Sequence, residues 1–270
     1  MTAANWPACI DFTLQFEGGY DANRADRGNW TGGAVGKGEL KGTKYGIAAH
    51  VYPQLDIRNL TREQAIAIYR RDYWPKVGGD AQPAGVDLVT WDICVNSGAG
   101  RALALERQAL GSGIITAAGL AALASAAPDK AAIVKRMCAA RASFYRGLQT
   151  FSVFGKGWLR RNAAAEARGV ALALAATTLK RPEIKQRLED EARTAAASRT
   201  AHATASATTG SGGAAATQAT TSSSTLDWVT LGEVALCAVL LGVAAFFVWK
   251  AFAHHERAKA YADALKRFIS

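Results

Sequence analysis

Apolar residues recur at helical spacing along the first part of the chain. From Trp6 onward an apolar residue returns every three to four positions, which predicts a helix over 6–17 with Glu17 on its apolar stripe. Two glycines follow at once, and glycine readily takes the left-handed conformation that ends a helix. A carboxyl group on the apolar face of a helix end is therefore the first feature that needs an explanation.

The helical pattern resumes after a polar, glycine-rich stretch at 20–46, which can hold a short hairpin or a loop. Thr61 and Gln64 have the spacing of a capping box at the start of the next helix. Helices are predicted at 60–74, on both sides of a glycine break within 85–111, at 129–149 and from 157 onward. The pattern predicts a mainly α or α+β protein with one loop-rich polar insert.

Composition changes twice in the last third of the chain. Residues 200–225 are almost entirely Ala, Thr, Ser and Gly, a composition that buries too little apolar area to offset chain entropy, so we predict a flexible linker. Residues 226–253 are apolar and long enough to cross a hydrocarbon core of about 30 Å. We predict a transmembrane helix there, followed by a short basic tail at 254–270.

The formal net charge of +10 predicts an anionic partner. Nucleic acid, a membrane surface and the bacterial cell wall are all anionic. The sequence has no zinc-finger spacing and no RNP-type aromatic strand, so we predict no nucleic-acid partner. The cysteines form no CxxC pair and the histidines do not cluster with them. We therefore expect buried free thiols, no metal site and no cofactor.

Four motifs stand in order along the N-terminal third: FEGGYDANRADRGN, GTKYGI, LTREQAIAIYRRDYW and WDICVNSGAGRAL. Together they resemble glycoside hydrolase family 108, whose members are lysozyme-like N-acetylmuramidases, over residues 8–98. The segment 141–161 resembles the peptidoglycan-binding helical region that follows in this family. The resemblance implies a lysozyme-like α+β catalytic domain at 1–98 and a wall-binding helical region at 99–165. A charged, Ala-rich helix would occupy 166–199.

The resemblance also assigns a role to Glu17, as the catalytic acid of the motif Glu-Gly-Gly-Tyr. The residues alone leave two interpretations open. One is a surface acid paired with a nearby arginine, and the other is a carboxyl whose pKa is raised by partial burial and by the helix dipole. Glycosidic bond cleavage needs such an acid to protonate the leaving oxygen, together with a second group that stabilises positive charge or activates water.

The wider lysozyme superfamily implies the rest of the catalytic set. Eight residues separate Glu17 from Asp26, the interval seen in phage-type lysozymes, and Thr43 is the third member. Asp21 is the alternative second acid. The predicted substrate-binding residues are Tyr20, Tyr45 and Asn96, with packing an equal alternative for the last two. Trp91 is expected to be a core residue, and Asp92 could be structural.

The sequence therefore predicts a membrane-anchored peptidoglycan hydrolase of phage or bacterial origin, with peptidoglycan as its partner. A catalytically idle wall-binding protein and a lytic transglycosylase are the alternatives. The basic residues of the tail favour its cytoplasmic placement. We accordingly predict a single-pass protein of the bacterial inner membrane whose enzyme domain faces the periplasm.

Overall fold

The computed structural model describes residues 5–220 and 228–269, and it describes the backbone alone at 210–220, 228–234 and 237. The protein is mainly α-helical, as predicted, with one short hairpin. The helices are α1 (Trp6–Leu14), α2 (Arg62–Asp72), α3 (Val86–Ser97), α4 (Ala99–Leu110), α5 (Ala117–Ala126), α6 (Lys130–Arg146), α7 (Phe151–Ala175), α8 (Arg181–Thr220) and α9 (Trp228–Ile269). The strands are β1 (Thr43–Lys44) and β2 (Ile47–Ala48), which pair antiparallel.

The chain divides into two compact units. The first comprises Met1–Phe144 with Leu172–Thr177, and the second comprises Tyr145–Ala171 with Thr178–Ser270. The polar insert and its hairpin lie in the first unit. The Ala/Thr/Ser-rich and apolar stretches of the last third lie in the second.

Local sequence signals set several helix boundaries in the first unit. Thr61 accepts a hydrogen bond from the Gln64 amide and the Gln64 side chain accepts one from the Thr61 amide, so the predicted capping box forms. The predicted glycine break lies between α3 and α4, where Gly98 has a φ of 85°. Both features depend on residues within four positions of each other.

Helix α1 is shorter than predicted. It ends at Leu14, and the Phe16 amide then donates to the Thr13 carbonyl in a turn. The Tyr45 amide donates to the Gly18 carbonyl at 3.2 Å, which joins the chain after α1 to the hairpin. Glu17 consequently lies in a bend beyond the helix, and its predicted position on the apolar stripe of a helix over 6–17 is wrong.

An aromatic cluster forms the core beneath α1. Trp6, Tyr69, Trp74 and Trp91 meet edge to face, with ring centroids 4.9 to 5.6 Å apart. Trp91 is fully buried, which confirms its prediction as a core residue. Edge-to-face pairs of this kind add about 0.5–1.5 kcal/mol beyond area burial. The cluster fixes α1 against α2 and α3.

A buried ion pair ties three helices of the first unit together. Arg141 of α6 donates to Asp92 of α3 at 2.7 Å, and both side chains are fully buried. The Thr13 hydroxyl of α1 donates to the other oxygen of Asp92 at 3.4 Å. Asp92 is therefore a structural acid, and the pair holds the end of α1 that leads to Glu17.

The predicted free thiols are confirmed where the structure describes them. Cys9, Cys94 and Cys138 are free and buried. The side chain of Cys237 lies outside the described residues.

The second unit corrects the prediction of a flexible linker. Residues 200–220 belong to the continuous helix α8, and only the end of the predicted linker, at 221–225, lies outside the described residues. Alanine is the strongest helix former, and helix α9 supplies a packing partner. The Ser206 hydroxyl, for example, donates to the Ala244 carbonyl of α9 at 3.2 Å. The composition argument failed because it considered residues 200–225 without that partner.

Helix α9 contains the predicted apolar span and most of the predicted tail. The part described with side chains, Ala238–Ile269, is long and apolar enough to cross a membrane, with a mean hydropathy of 1.4 in its most apolar window. Most large apolar side chains of this stretch are exposed, among them Val239, Leu241 and Val248, whereas Ala244 is buried against α8. Helix α9 runs without a break through the predicted tail to Ile269, so residues 254–269 are helical.

Candidate active site

Packing of α1 fixes where the chain emerges toward Glu17. Asn5, just before the helix, donates to Asp87 of α3 at 3.0 Å, and Asp87 also accepts from two backbone amides. Burial raises the pKa of Asp87 to about 6, although these hydrogen bonds act to lower it. With Trp6 at one end and Thr13 at the other, α1 contacts the core along its length. Glu17 therefore follows a rigid element.

The Glu17 carboxyl group lies against the turn of the hairpin. An ideal Cβ placed on Gly46 would be 2.8 Å from Glu17 Oε2 and 2.4 Å from the Tyr69 hydroxyl oxygen. The two oxygens therefore converge on the same small space above the Gly46 backbone. The Tyr69 hydroxyl donates to the Tyr45 carbonyl at 2.9 Å, which fixes the turn against α2. Only glycine leaves room for the carboxyl group at this point.

The turn itself is backbone-strained. Tyr45 has a φ of 51° and Gly46 a φ of 75°, so both central residues of the two-residue loop are left-handed, as a type I′ hairpin requires. Among the described residues Tyr45 is the one non-glycine residue with a positive φ. Strain of this kind costs about 1–3 kcal/mol and clusters at functional sites. Tyr45, which we predicted as a substrate contact or a packing residue, is half-buried.

A second polar network lies at the base of the same hairpin. Asp21 and Thr43 exchange two backbone hydrogen bonds of 2.8 Å. Buried Asn29 joins their side chains, because it donates to Asp21 Oδ2 at 3.0 Å and accepts from the Thr43 hydroxyl at 2.7 Å. Thr43, a predicted catalytic residue, is thus placed with the alternative acid Asp21.

Asp26 lies at the next turn of the insert. Its carboxylate accepts a hydrogen bond from the Gly28 amide at 2.8 Å and caps the short 3₁₀ turn Arg27–Asn29. The residue is exposed. The structure thus brings Thr43 together with Asp21 through Asn29, and it gives Asp26 a local capping contact.

Tyr20 borders an open cleft of about 420 Å³. The Arg58 guanidinium lies 5.0 Å from the centre of the Tyr20 ring, and the Lys44 ammonium donates to the Arg58 carbonyl at 2.9 Å. Asp56 and Lys41 also line the cleft. An aromatic ring with charged groups around it suits a polar, hydroxyl-rich ligand.

Asn96 lies at the end of α3 and is distant in sequence from the residues of the polar insert. Its side-chain carbonyl accepts from Ser97 at 3.0 Å and from Arg141 at 3.3 Å. The contact with Arg141 connects Asn96 to the buried ion pair. The sequence left packing and substrate binding open for Asn96, and this contact is of the packing kind.

Three residues of the site were missed in the sequence. Tyr69, Asn29 and Gly46 hold the two acids and the hairpin in place, yet each sits inside a quoted motif without any chemical signal of its own. Glycine is common at the second position of a two-residue hairpin loop, and this signal could have identified Gly46. Tyr69 and Asn29 act through contacts distant in sequence, which local spacing does not reveal.

Glu17 is half-buried against the hairpin turn and the Tyr69 hydroxyl. Asp21 and Asp26 are exposed, and each accepts a hydrogen bond from an amide donor. Two carboxyl environments of this kind are what acid-assisted cleavage of a glycosidic bond uses. The fold is mainly α, and the carboxyl groups beside its hairpin suit the chemistry of a glycosidase.

Comparison with known proteins agrees with this class. The glycosyl hydrolase 108 family matches residues 10–98. Among solved structures, "Structure of Brucella abortus SagA" is 32% identical, with a TM-score of 0.51, and the match covers 63% of this chain and 97% of that one. No curated protein matches significantly. The chain belongs to the glycosyl hydrolase 108 family, which indicates a lysozyme-like, peptidoglycan-degrading glycoside hydrolase.

Proposed function

We propose that this protein is an N-acetylmuramidase that cuts the glycan strands of peptidoglycan, with Glu17 as the general acid. The observation that carries the proposal is the position of the Glu17 carboxyl group, which lies against Gly46 and the Tyr69 hydroxyl at the rigid hairpin turn. A general acid has to be held at a fixed place relative to the leaving oxygen, because small displacements are costly in rate. Both neighbours of Glu17 serve that end.

The second carboxylate is Asp26 or Asp21. The eight-residue interval from Glu17 supports Asp26, whose exposed carboxylate can orient a water molecule. The hydrogen-bonded path from Asp21 through Asn29 to Thr43 supports Asp21. The Thr43 hydroxyl lies in the network of Asp21 and can help to position water there. Tyr20 and Tyr45 provide aromatic surface for saccharide rings on the two sides of the hairpin.

The decisive experiment compares the full-length protein with its Glu17→Gln variant on purified peptidoglycan. General acid catalysis contributes about 10²–10⁴-fold, so the variant should lose at least about 100-fold in the release of reducing ends. Glu39→Gln is the matched control, because Glu39 is an exposed carboxylate of the same polar insert. If Glu17→Gln keeps most of the activity, Glu17 is not the acid.

Product analysis separates the remaining possibilities. Mass spectrometry of the released muropeptides should show reducing N-acetylmuramic acid ends. Anhydro-muramyl ends would instead identify a lytic transglycosylase, which needs only the acid. Wall binding without any release of product by the wild-type protein would identify an idle wall-binding protein.

Asp21→Asn and Asp26→Asn assign the second group. The residue whose variant lowers turnover by a factor comparable to Glu17→Gln is the second carboxylate. Asparagine caps a helix start about as well as aspartate, so if Asp26 only caps the turn, Asp26→Asn should leave both stability and turnover nearly unchanged. Thermal unfolding measured on the same samples distinguishes the two effects.

We also propose that α9 attaches the enzyme to a membrane. Its apolar stretch presents a row of exposed side chains, among them Leu236, Val239 and Val243, that no part of the described chain covers. Exposed apolar surface of this extent is typical of a lipid or protein contact. Co-flotation of the full-length protein with vesicles of bacterial lipids tests the attachment. Val239→Asn combined with Val243→Asn should reduce flotation.

A further inference from the structure

Helices α8 and α9 form an antiparallel pair. At one end, Arg181 of α8 donates to the Phe268 carbonyl of α9 at 2.6 Å. In the middle, His202 stacks on Phe247 with ring centroids 5.7 Å apart, and Ser206 contacts Ala244. Residue numbers increase along α8 in the direction in which they decrease along α9, so the two helices run antiparallel. The two helices are joined through 221–227, outside the described residues.

In this register the charged residues of both helices stop at the same level. Continuing from the contact of Ser206 with Ala244, Arg199 of α8 falls level with Lys250 of α9. Beyond that level α8 has no Asp, Glu, Lys or Arg from 200 to 220, and α9 has none from 234 to 249. Charged residues are expected to end at the same level if both helices pass from water into the membrane there.

Each leg has the length of a membrane span. The 21 residues of 200–220 extend about 31 Å and the 22 residues of 228–249 about 33 Å at 1.5 Å per residue, against a hydrocarbon core of about 30 Å. The α9 leg carries one charged residue, Glu233, which lies near its start at Trp228. Cations and aromatic rings gather where the legs begin. The Arg146 guanidinium lies 4.6 Å from the Trp249 ring centre and the Lys250 ammonium 5.2 Å from it. Such groups are enriched at membrane interfaces.

In the part of the α8 leg that is described with side chains, 200–209, the hydroxyl groups donate within the helix pair. The hydroxyls of Thr204, Thr208 and Thr209 donate to carbonyls one turn earlier in α8. Ser206 donates across to α9. In lipid every polar group needs a partner within the protein, and small residues let two helices approach closely. The Ala/Thr/Ser composition that excludes a globular core therefore suits a helix that enters lipid together with α9.

The far end of α9 is fixed to α7. Arg257 donates to Glu166 of α7 at 2.6 and 2.9 Å, and the Tyr261 hydroxyl donates to the same carboxylate oxygen at 3.0 Å. Glu256 adds an ion pair with Arg160 of α7 at 3.4 Å. Both glutamates are buried, so pulling α9 away would leave buried charges without a partner, which is strongly destabilising. The tail therefore stays with α7.

We propose that α8 and α9 enter the membrane together as a helical hairpin, so that α7 and the C-terminal tail remain on the same side. This inference rests on the membrane attachment proposed above and replaces the single-pass topology predicted from the sequence. In a single-pass protein, the residues before the span and those after it lie on opposite sides of the membrane. In the hairpin, the residues before α8 and those after the apolar stretch of α9 lie on the same side.

The test uses the full-length protein with different tags at its two ends, reconstituted in vesicles of bacterial lipids and treated with protease from outside. Flotation is measured first, because a protein that does not float refutes the attachment and the hairpin together. In a floated hairpin each molecule loses both tags or neither, whatever its orientation in the vesicle. A single-pass protein loses one tag from every molecule, and that outcome overturns the hairpin while leaving the attachment intact.

Cross-linking in the floated fraction provides a second measurement. The pair Ser206→Cys and Ala244→Cys, made with Cys237→Ala, should form a disulfide within one molecule, because Ser206 and Ala244 touch. The control pair Ser206→Cys and Ala264→Cys is about 30 Å out of register along the helix and should not. A 206–244 disulfide in detergent that no longer forms in vesicles would mean that α9 leaves α8 in lipid, contrary to the proposal.

Discussion

Replacing Gly46 by alanine is expected to destroy most of the wall-degrading activity. Gly46 has a φ of 75°, and a residue with a Cβ pays about 1–2 kcal/mol in that region. The new Cβ would also come within 2.8 Å of Glu17 Oε2 and 2.4 Å of the Tyr69 hydroxyl oxygen. Neither distance is tolerable, so the turn, the carboxyl group or the tyrosine has to move. A displacement of about 1 Å in a catalytic group can cost about 100-fold in rate.

Gly36 offers a matched control in the same polar insert. Its φ is 77°, and an added Cβ there has no heavy atom within 4 Å. Gly36→Ala therefore carries the same backbone strain without the contact to Glu17. Both variants should lower the melting temperature, by about 2–4 °C per kcal/mol for a chain of this size. Only Gly46→Ala should lose activity.

Reducing-end release from purified peptidoglycan, measured well below both melting temperatures, separates strain from displacement. We expect Gly36→Ala to remain within about twofold of the wild type and Gly46→Ala to fall by about 100-fold. Equal activities in the two variants would refute the reasoning, because the space between Gly46 and Glu17 would then be irrelevant to catalysis.

Two further predictions concern buried charges of the first unit. Burial raises the pKa of Glu106 to about 7. The free energy of unfolding should therefore have its full value below pH 4.5, the ordinary pKa of a glutamate, and should decline as the pH rises to 7. Glu106→Gln, which keeps the contact with Gln82, should flatten that decline and stabilise the protein at pH 8 by up to about 3 kcal/mol; an unchanged pH profile of the melting temperature would contradict this. Arg141→Met should cost about 3–5 kcal/mol, because it leaves Asp92 buried and unpaired. Adding Asp92→Asn should recover part of that loss in the same unfolding measurement, and no recovery would mean that the charge of Asp92 is not the cause.

Elements whose signals lie within a few residues were predictable from the sequence. The capping box of Thr61 and Gln64 and the glycine break at Gly98 each depend on one turn of chain, and both formed as expected. The end of α1 was not predictable in the same way. It is set by the bond from the Tyr45 amide to Gly18, which requires the hairpin to be in place first.

Contacts between distant segments explain the larger failures. Residues 200–220 have too little apolar area for a stable helix by themselves, yet Ser206 meets Ala244 at a separation of 38 positions. Tyr69 reaches the turn at Tyr45 across 24 positions. The motif identified Glu17, but the groups that hold its carboxyl in place come from other elements. Such pairs follow from the fold and not from local periodicity.

Buried partners also narrow the set of carboxyl groups that are available for chemistry. In the first unit, Asp92 is fully engaged with Arg141, Asp87 holds Asn5 and two backbone amides, and Glu106 accepts from Gln82. All three are sealed in the core, away from any polymeric substrate. Glu17 and the aspartates of the polar insert differ from these core acids, because Glu17 is half-buried beside the hairpin turn and Asp21 and Asp26 are exposed. This difference supports our proposal that the chemistry uses the segment that begins at the motif Glu-Gly-Gly-Tyr.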